Sequence, residues 1–461
     1  MDHLSAVILA AGKGTRMKSE LPKVLHPLLN KPLIQYVVEA AGAAGAQEQI
    51  VVVGHEEETV RQALANQPWA VSCRFVRQEP QLGTGHALQA ALPGLGKDCR
   101  SLLVLYADTP LLSSGLLNAF MEQFQQSNVA AAVLTSVLTD PRGYGRIIRD
   151  EAGDLTAIVE EKDASPAEKA VCEINTGIYC FALKPLKAAL ANLNNNNAKG
   201  EYYLTDAVVS LHAQGLKVIA TGSAPAEEIL GVNDRVQLAA AAKLLQNRIN
   251  NAWMLKGVTI TDPSTTYIDA DVDIGVDTII EPQSFIRAGS KIGRGCHIGV
   301  GTEISASYLG NGVRTRHAII VESEVGDNCD IGPFAYIRPG NKLAARVKAG
   351  HFVELKKSYI GEGSKVPHLS YVGDAVLGRN VNIGCGTITC NYDGKYKHTT
   401  TIGDEAFIGS NTNFVAPVNI GARAVTGAGS TITQDVPADA LGVERSEQKN
   451  IPGWTRLKKG E

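Results

Sequence analysis

A glycine-rich turn near the start of the chain carries two basic side chains. Gly12, Lys13, Gly14 and Arg16 follow directly after the apolar run at residues 4–11. Glycine lets a backbone wrap closely around a phosphate, and the two cations place positive charge beside it. The spacing matches neither the dinucleotide fingerprint, which has a third glycine, nor a Walker loop ending in Gly-Lys-Ser/Thr. The segment predicts a phosphate-binding loop, with a tight turn that binds nothing as the alternative.

Two further side chains suit the chemistry of a nucleoside triphosphate. Lys23 comes soon after the glycine-rich turn, within reach of the same phosphates. Asp108 follows the apolar run 102–105 and so places a carboxylate at the carboxyl edge of a predicted strand. Mg²⁺ favours hard oxygen ligands, keeps most of its waters and is shared with substrate phosphates. Asp108 is therefore a candidate magnesium ligand, with a simple turn residue as the alternative.

A different chemistry is indicated much later in the chain, in the segment 365–374 around His368. An amine must lose its proton before it attacks a thioester, and histidine is the side chain whose pKa suits that step at neutral pH. A single histidine can equally be a hydrogen-bonded structural residue. The role of His368 as a general base therefore depends on its surroundings.

The elements that must position these residues fall into unlike halves. With 461 residues, 44% hydrophobic and 20% charged, the chain is long enough for two or three domains. From residue 1 to about 232, β-branched runs alternate with alanine-rich stretches, which predicts a mostly parallel α/β sheet. Ligands of such sheets bind beyond the carboxyl ends of the strands. The glycine-rich turn and Asp108 are both expected there.

A helix is predicted between the halves. Apolar residues recur every three or four positions at Leu238, Ala241, Leu245, Ile249 and Trp253. Asn233 or Asp234 is available as its cap, and the pattern runs to about residue 256. We interpret 233–256 as a linker between domains.

After Gly257 the apolar period becomes six. Spaced by six are Ile274, Ile280, Ile286, Ile292, Ile298 and Ile304, and later Ile402, Ile408, Phe414 and Ile420. A period of six fits neither a helix at 3.6 nor a strand at 2. It predicts a hexapeptide β-solenoid whose aliphatic residues stack inside a prism, with ordinary strands of chance spacing as the alternative. Glycines after the repeating isoleucine, such as Gly275 and Gly293, are expected to accept a positive φ at the corners.

Composition excludes several other classes of function. A formal net charge of −3 gives no polycationic surface for nucleic acid or an anionic membrane, so neither partner is expected. The eight cysteines form no Cys-x-x-Cys pair, which favours reduced thiols in a cytosolic protein over structural zinc. No apolar run reaches the ~20 residues of a spanning helix. A soluble protein is therefore expected.

Five segments give the chain a resemblance to a known family. They are QEPQLGTGH at 78–86, GYGRI at 143–147, IVEEKD at 158–163, EINTG at 173–177 and GVN at 231–233. With the N-terminal loop, which sugar-nucleotide pyrophosphorylases share, they resemble the bacterial bifunctional N-acetylglucosamine-1-phosphate uridyltransferase/glucosamine-1-phosphate acetyltransferase family. The resemblance extends nearly to the C-terminus. It implies a Rossmann-like mixed-sheet nucleotidyltransferase domain at 1–232, the linker helix at 233–256, and a left-handed parallel β-helix of hexapeptide repeats at 257–461.

For the N-terminal half, the resemblance implies uridylyl transfer from UTP to N-acetylglucosamine 1-phosphate. The uridine would be held by Leu9, Ala10, Ala11, Gly12, Gln78, Gln81, Gly83 and Thr84, and the sugar by Gly145, Glu160 and Asn175, with Tyr106 and Ala107 completing the set. Asp108 and Asn233 would bind Mg²⁺, and Arg16 and Lys23 would neutralise the triphosphate. Glu160 on a solvated charged face and Asn233 as a plain helix cap are the alternatives.

One residue of this half departs from the family, and one segment matches it without an assigned role. Ala107 stands where the family more often has glycine, and we expect altered affinity at most. The segment 201–206 also resembles the family, and we interpret it as a helix start with no assigned role.

For the C-terminal half, the resemblance implies acetyl transfer from acetyl-coenzyme A to glucosamine 1-phosphate. His368 would be the general base. Arg338, Lys356, Tyr371, Asn382 and Lys397 would bind the sugar phosphate, and Cys385, Asn391, Tyr392, Ser410, Ala428 and Arg445 would lie along acetyl-coenzyme A. Cys385 replaces the usual alanine, where a thiol would either crowd the acetyl group or act as a small hydrophobe. Members of the family are trimers, so a homotrimer with shared acetyltransferase sites is implied.

Two other functions stay open beside the bifunctional enzyme. In one, the prism is an inert assembly scaffold attached to a uridyltransferase. In the other, the whole chain is a non-catalytic nucleotide-sugar sensor. A scaffold has no reason to hold His368, Lys356 and Arg338 together, and a sensor does not need both Asp108 and Asn233.

Overall fold

The computed structural model describes residues 3–54, 57–65, 67–70, 73–222 and 224–455, and in it the first apolar run forms an interior strand of a mixed sheet. The strands of the N-terminal part are β1 (Leu4–Leu9), β2 (Pro27–Leu28), β3 (Lys31–Pro32), β4 (Glu48–Val53), β5 (Cys73–Arg77), β6 (Ser101–Tyr106), β7 (Ala131–Val137), β8 (Gly145–Arg149), β9 (Leu155–Val159), β10 (Glu173–Ala182) and β11 (Val218–Thr221). Their order is β11-β7-β10-β6-β1-β4-β5, β8 pairs with β10 and β9, and β2 pairs with β3 alone.

The strand directions make the sheet mixed. β1 runs parallel to β4 and β6, and β7 runs parallel to β11. β10 is antiparallel to both β6 and β7. The predicted Rossmann-like mixed sheet is confirmed. The carboxyl ends of β1 and β6 lie at the same edge, so Gly12 and Asp108 emerge beside each other.

Helices cover both faces of this sheet. The α-helices of the described residues are α1 (Leu33–Ala43), α2 (Glu57–Leu64), α3 (Thr84–Ala91), α4 (Ser114–Ser127), α5 (Pro166–Lys169), α6 (Leu183–Ala191), α7 (Leu204–Ala213) and α8 (Arg235–Leu255), with 3₁₀ turns at Thr15–Met17, Lys23–Leu25, Pro68–Ala70 and Leu92–Gly94. All of these α-helices except α5 and α8 contribute to the two cores on either side of the sheet. Alternate residues of β1 enter different cores: Ala6 and Ile8 pack in one, Val7 and Leu9 in the other. A strand buried on both faces is expected to be largely apolar, as β1 is apart from Ser5.

The helix α8 begins at Arg235 and not at Asn233. The Oδ1 atom of Asp234 accepts a hydrogen bond from the backbone N–H of Gln237, at 2.8 Å, so Asp234 is the cap. The side chain of Gln237 accepts in return from the backbone N–H of Asn233. The side chain of Asn233 is therefore left for another role. The chain divides inside this helix into two units, Met1–Leu245 and Gln246–Glu461.

The second unit is a prism with three faces of short parallel strands. The first face contains β12 (Thr259–Ile260), β15 (Ile279–Ile280), β18 (His297–Ile298), β21 (Arg314–Thr315), β24 (Asp330–Ile331), β27 (Lys348–His351), β30 (Lys365–His368), β33 (Asn382–Ile383), β36 (Phe407–Ile408), β39 (Val425–Thr426) and β41 (Leu441–Gly442). The second contains β13 (Tyr267–Ile268), β16 (Phe285–Ile286), β19 (Glu303–Ser305), β22 (Ile319–Val321), β25 (Tyr336–Ile337), β28 (Glu354–Lys356), β31 (Tyr371–Gly373), β34 (Ile388–Cys390), β37 (Asn413–Val415) and β40 (Thr431–Ile432). The third contains β14 (Asp273–Ile274), β17 (Lys291–Ile292), β20 (Tyr308–Leu309), β23 (Glu324–Val325), β26 (Lys342–Leu343), β29 (Tyr359–Ile360), β32 (Ala375–Leu377), β35 (Thr400–Ile402) and β38 (Val418–Ile420).

The interior of the prism is the predicted set of aliphatic ladders. Every isoleucine of the six-residue series from Ile274 to Ile304 is buried, as are Ile402, Ile408 and Phe414. Successive coils place like residues above one another, so that Ile280 pairs in register with Ile298. The hexapeptide β-helix is confirmed. The coil that contains residues 383–408 is longer than its neighbours because it carries the projecting loop 391–399.

The explanation offered for the repeating glycines is wrong at most positions. Gly275 and Gly293 do not have positive φ; the left-handed residues lie two positions later, at Asp277 and Gly295. A Cβ atom on Gly293 would lie 2.5 Å from the carbonyl oxygen of Gly310 in the next coil. Glycine is required there because the next backbone approaches too closely for any side chain.

In the described residues, no helix combines the length and the apolar character needed to cross a membrane.

Candidate functional site

A cleft of about 480 Å³ opens at the carboxyl ends of β1 and β6. Its lining residues are Leu9, Ala10, Ala11, Gly12, Lys13, Lys23, Val24, Gln78, Gln81, Gly83, Thr84, Ala87, Tyr106, Asp108 and Glu201. Volumes of about 300–1,000 Å³ are typical of small-molecule sites. All the residues predicted to hold the uridine line this cleft, which we call the nucleotide cleft.

Hydrogen bonds hold the loops around the nucleotide cleft together. The side-chain amide of Gln81 donates to the carbonyl of Ala11 at 2.6 Å, and that of Gln78 donates to the carbonyl of Gly83 at 2.9 Å. Gly83 has a φ of +110°, and a Cβ atom there would lie 2.7 Å from the carbonyl oxygen of Tyr202. The glycine is therefore required by both its conformation and the close approach of the 201–204 segment.

A second cleft, of about 390 Å³, shares Tyr106 and Asp108 with the first. Its lining residues are Arg16, Tyr106, Asp108, Thr109, Arg142, Gly143, Tyr144, Gly145, Glu160, Asn175, Thr176, Gly177, Ile229, Gly231, Asn233 and Gln237. They include all three residues predicted to hold the sugar, and the pairing of β8 with β10 sets Gly145 opposite Asn175. We call it the sugar cleft.

Burial governs the polar groups of the sugar cleft. Burial raises the pKa of Glu160, which lies just after β9. Glu160 is half-buried and lines the cleft, which argues against the alternative of a solvated charged face. Asn175 is buried and oriented, because its amide donates to the hydroxyl of Tyr179 at 2.6 Å and its Oδ1 atom accepts from the backbone of Gly177. Burial also raises the pKa of Tyr106, which stays neutral between the two clefts.

One cation joins the two predicted magnesium ligands. The ammonium group of Lys23 contacts the carboxylate of Asp108, and its Nζ atom lies 3.2 Å from Oδ1 of Asn233. The side chains of Lys23 and Asp108 are only 12% and 18% exposed, so these charges are largely removed from water. A carboxylate and an amide oxygen that converge on one positive group are a donor set that fits Mg²⁺.

Arg235 and His26, which had no predicted role, lie between the turns that carry Arg16 and Lys23. Arg235 donates from Nε to the carbonyl of Met17, next to Arg16, and its Nη1 atom lies 3.3 Å from Nδ1 of His26. Burial, followed by the nearby Arg235 guanidinium, lowers the pKa of His26. Arg235 thus connects the turn that carries Arg16 to the turn that carries Lys23.

Ala107 does not line either cleft. It is buried in the core, and its backbone N–H donates to the carbonyl of Leu9 at 3.0 Å. Only its backbone is near the clefts, in agreement with the small effect expected of the extra methyl group.

In the prism, one corner carries a column of four predicted acetyltransferase residues together with His351, for which no role was predicted. His351, His368, Cys385, Ser410 and Ala428 stand three residues after the mutually registered positions 348, 365, 382, 407 and 425 of the first face. They therefore occupy equivalent places on successive coils. His368 is exposed and does not point into the dry interior, while Cys385 is half-buried.

Asp374 directly follows β31, at the end of the second face that is farther from the corner carrying His368. Several side chains contact it there. Its Oδ2 atom accepts a hydrogen bond from Nζ of Lys356 at 2.9 Å and another from the amide of Asn391, whose amide also lies 3.5 Å from the hydroxyl of Tyr371. Burial acts to raise the pKa of Asp374, but these hydrogen bonds hold it below its ordinary value. Lys356 lowers the pKa of Lys397, through a side-chain contact and the repulsion between the two positive charges.

The remaining predicted residues lie outside this cluster. Arg338 forms an ion pair with Glu354, at 2.7 Å, one coil before Lys356. Asn382 is on the first face, in β33. Tyr392 is exposed in the loop 391–399, where it forms a bridge with Lys397. Arg445 is exposed beyond the last strand.

Comparison with known proteins places both units in one family. Residues 6–195 match the model of the MobA-like NTP transferase domain, and residues 399–434 match that of the bacterial transferase hexapeptide. The chain is 53% identical over 449 residues to "Bifunctional protein GlmU" of Heliobacterium modesticaldum, covering 97% of each chain. It is 51% identical to the protein of the same name from Caldanaerobacter subterraneus, covering 100% of each, and 50% identical to that of Syntrophomonas wolfei, covering 97% and 99%.

The chain belongs to the GlmU family.

As a member of the GlmU family, the chain is a bifunctional enzyme that makes UDP-N-acetylglucosamine by acetyl transfer and uridylyl transfer. The inert-scaffold and sensor alternatives are therefore wrong. Sequence reasoning assigned no role to Asp374, His351 and Arg235, and it noted the resemblance of the 201–206 segment to the family without giving it one. Asp374 was within the segment that carries His368, and the six-residue period sets it one corner away. His351 lies one coil before His368, but the period does not specify side-chain directions, and the contacts of Arg235 and of the 201–204 segment join positions too distant in sequence to predict.

Proposed function

We propose that the two activities are divided between the two units. The nucleotide and sugar clefts would carry uridylyl transfer from UTP to N-acetylglucosamine 1-phosphate, and the prism would carry acetyl transfer to glucosamine 1-phosphate. The observation that supports this most strongly is the wall formed by Tyr106 and Asp108, which separates a nucleotide-sized cleft from a second polar one. The functional boundaries that we propose are 1–232, 233–256 and 257–461.

In the uridylyl reaction, the protein aligns the reactants and neutralises charge. The backbone of residues 9–12 with Gln78 and Gln81 would hold the uracil, whose imide suits amide and carbonyl partners. Gly145, Glu160 and Asn175 would hold the sugar, so that its phosphate meets the α-phosphorus at the wall between the clefts. The sugar-phosphate oxygen attacks in line and pyrophosphate leaves, with no covalent enzyme intermediate.

Positive charge would come from this chain's own side chains and from a metal. Arg16 and Lys23 would neutralise the triphosphate. Asp108 and Asn233 would hold Mg²⁺, which when bound neutralises charge on the phosphate oxygens. The ammonium of Lys23 contacts both of these oxygens, and we infer that it turns to the phosphates when substrate and metal bind.

In the acetyl reaction, His368 would accept the proton that the amine of glucosamine 1-phosphate loses as it attacks the thioester carbonyl. Lys356, Lys397 and Arg338 would bind the sugar's phosphate, and Tyr371 lies between them and His368 along the second face. Asn382 would complete the sugar site. Acetyl-coenzyme A would run along the corner column past Cys385, Ser410 and Ala428, with Asn391, Tyr392 and Arg445 beside it, and coenzyme A thiol leaves.

We also propose a homotrimer in which each acetyltransferase site uses more than one chain. Support comes from the spread of the assigned residues: Asn382 and Tyr392 lie on different faces and Arg445 lies beyond the last strand, which is hard to reconcile with one site on one chain. Light scattering should give three chains per particle. Mixed oligomers of His368→Ala and Arg445→Ala chains should regain acetyl transfer, and no recovery would contradict shared sites.

The function as a whole is tested by omission. The purified protein receives glucosamine 1-phosphate, acetyl-coenzyme A, UTP and Mg²⁺ together, and UDP-N-acetylglucosamine is measured. Leaving out UTP or Mg²⁺ should stop the pathway at N-acetylglucosamine 1-phosphate. Leaving out acetyl-coenzyme A should leave glucosamine 1-phosphate unchanged, and its direct uridylylation at the full rate would contradict the proposed order.

The scattered free cysteines suit a reducing compartment, and we propose that both reactions take place in the cytosol.

A further inference from the structure

A second histidine lies against the proposed general base. His351 and His368 end the neighbouring strands β27 and β30 and are paired in register. Their Nδ1 atoms are 3.3 Å apart, whereas the ring centroids are 5.3 Å apart with an angle of 6° between the planes. Because the nitrogens are much closer than the ring centres, the rings meet along their Nδ1 edges and are not stacked face to face.

The backbone brings the two imidazoles to adjacent places on the same corner. The N–H of Leu369 donates to the carbonyl of His351 at 2.9 Å, and the hydroxyl of Ser370 donates to the carbonyl of His368 at 2.7 Å. Phe352 and Leu369, which follow the two histidines, are both in the left-handed region, with φ of 54° and 44°. The corner has the same conformation on both coils, so the side chains leave it in the same direction.

Edge-to-edge contact allows only certain protonation states. A hydrogen bond between two Nδ1 atoms needs one protonated nitrogen and one bare nitrogen. If His351 donates, the proton of neutral His368 is on Nε2, and Nε2 cannot act as a base. If His368 donates, its Nε2 atom is bare and available to the substrate's amine.

We propose that His351 is a positioning residue for acetyl transfer: its bare Nδ1 atom accepts a hydrogen bond from Nδ1–H of His368 and so keeps His368 in the tautomer whose Nε2 atom is the base. The same hydrogen bond strengthens when His368 takes up the amine's proton and becomes an imidazolium. This inference rests on the proposed role of His368. It gives that histidine the partner that a catalytic imidazole needs in order to hold one tautomer.

The tautomer of His368 can be observed directly. Solid-state ¹⁵N NMR on the full-length protein with labelled histidine, assigned by comparison with His368→Gln, should show Nδ1 protonated and Nε2 bare at pH 8. In His351→Phe, which keeps an aromatic ring but removes the acceptor, His368 should shift towards the Nε2–H form that free histidine favours in water. A wild-type His368 protonated on Nε2, or the same tautomer in both proteins, would overturn the proposal.

Kinetics provide the second readout. His351→Phe should lower kcat for acetyl transfer about 10- to 100-fold, as the loss of an orienting partner does, with KM for both substrates nearly unchanged. His351→Asn, whose amide oxygen can accept the same hydrogen bond, should restore most of the rate. An Asn variant as slow as the Phe variant, or a Phe variant as fast as wild type, would argue against a positioning role for His351.

Controls separate this inference from the proposed function. Uridylyl transfer should be unchanged in both variants, which shows that the N-terminal unit is intact, and unchanged KM values for acetyl transfer report that the prism is folded. His351 is exposed, so neither substitution disturbs the core. His368→Ala is measured in the same assay. If His368→Ala keeps acetyl transfer, the proposed base is wrong, whatever the tautomer of His368.

Discussion

At the scale of single residues, Asp374 is the carboxylate that Lys356 and Asn391 of the proposed acetyltransferase site both contact. Its carboxylate binds both Lys356 and Asn391, and its side chain is only 17% exposed. The partly buried ammonium of Lys356 depends on this counter-charge to stay protonated and oriented towards a phosphate. Asp374→Asn should therefore raise KM for glucosamine 1-phosphate about 10-fold, the equivalent of about 1.4 kcal/mol of binding, with a smaller change in kcat.

Asp404 provides the matched control. It forms an ion pair with Arg379 on the same prism, but the two side chains are 40% and 70% exposed. Exposed pairs of this kind contribute little, so Asp404→Asn should leave the kinetics of acetyl transfer unchanged. Equal KM values for the two variants would show that Asp374 does not position the phosphate site.

Glu160 illustrates the conflict between function and stability at one residue. Burial raises its pKa, so the folded state binds a proton more tightly than the unfolded state does. Between the unfolded and the folded pKa, unfolding therefore releases a proton, so the stability of the fold decreases as the pH rises through that range. The buried carboxylate thus destabilises the fold at neutral pH. Glu160→Gln should raise Tm by about 2–4 °C at pH 7.5, and the gain should shrink as the pH falls towards 4.

The same substitution should weaken the sugar site, since a neutral amide is a poorer acceptor for sugar hydroxyls than a carboxylate. KM for N-acetylglucosamine 1-phosphate should rise while acetyl transfer is unaffected. A Tm gain that is independent of pH would show that ionisation of Glu160 is not its cause.

Residues that directly follow a predicted strand could be placed from the sequence, whereas contacts between distant segments could not. The glycine-rich turn and Asp108 follow strand ends, so the rule that ligands bind at those ends predicted their place, whereas the uridine roles of Gln78, Gln81, Gly83 and Thr84 came from the resemblance. The convergence of Lys23, Asp108 and Asn233 joins three distant parts of the chain and was available only by resemblance. The pairing of His351 with His368 depends on side-chain directions at a corner, which the six-residue period does not specify.

At the scale of elements, the β-helix was predictable because its period is written in every coil. What the period could not reveal was the reason for each glycine, since a glycine that permits positive φ and one that permits close backbone approach look alike in sequence. In the structure, Gly293 has a Cβ direction that is blocked by the backbone of Gly310, whereas Gly295 has a φ of +62° and open space around it.

These two neighbouring glycines make a paired test. Gly295→Ala should cost about 1–2 kcal/mol of unfolding free energy, the usual cost of a left-handed alanine. Gly293→Ala should cost more, because a backbone that is hydrogen-bonded in both directions along the prism cannot move aside cheaply. Denaturant unfolding, with the loss of acetyl transfer as its signal, measures both free-energy costs. Equal costs would mean that the coils can separate locally to admit a methyl group.

At the scale of the whole molecule, we propose that two chemistries with unlike requirements are carried by two folds. Transfer of a uridylyl group needs clefts that align two ligands, which an open sheet with glycine-rich loops would supply. Acetyl transfer needs a base and a long surface for coenzyme A, which repeated corners of a β-helix would supply. The family assignment was predictable because motifs are spread over both folds.

This separation predicts independent loss of the two activities. His368→Ala should abolish acetyl transfer by removing the proton acceptor, which contributes about 10²–10⁴-fold to such reactions, and should leave uridylyl transfer intact. Asp108→Ala should remove Mg²⁺-dependent pyrophosphate release and leave acetyl transfer intact. Supplying N-acetylglucosamine 1-phosphate should rescue UDP-N-acetylglucosamine formation by the His368 variant but not by the Asp108 variant. If both activities fell together in a folded variant, the units would not act separately, and the division of labour would have to be abandoned.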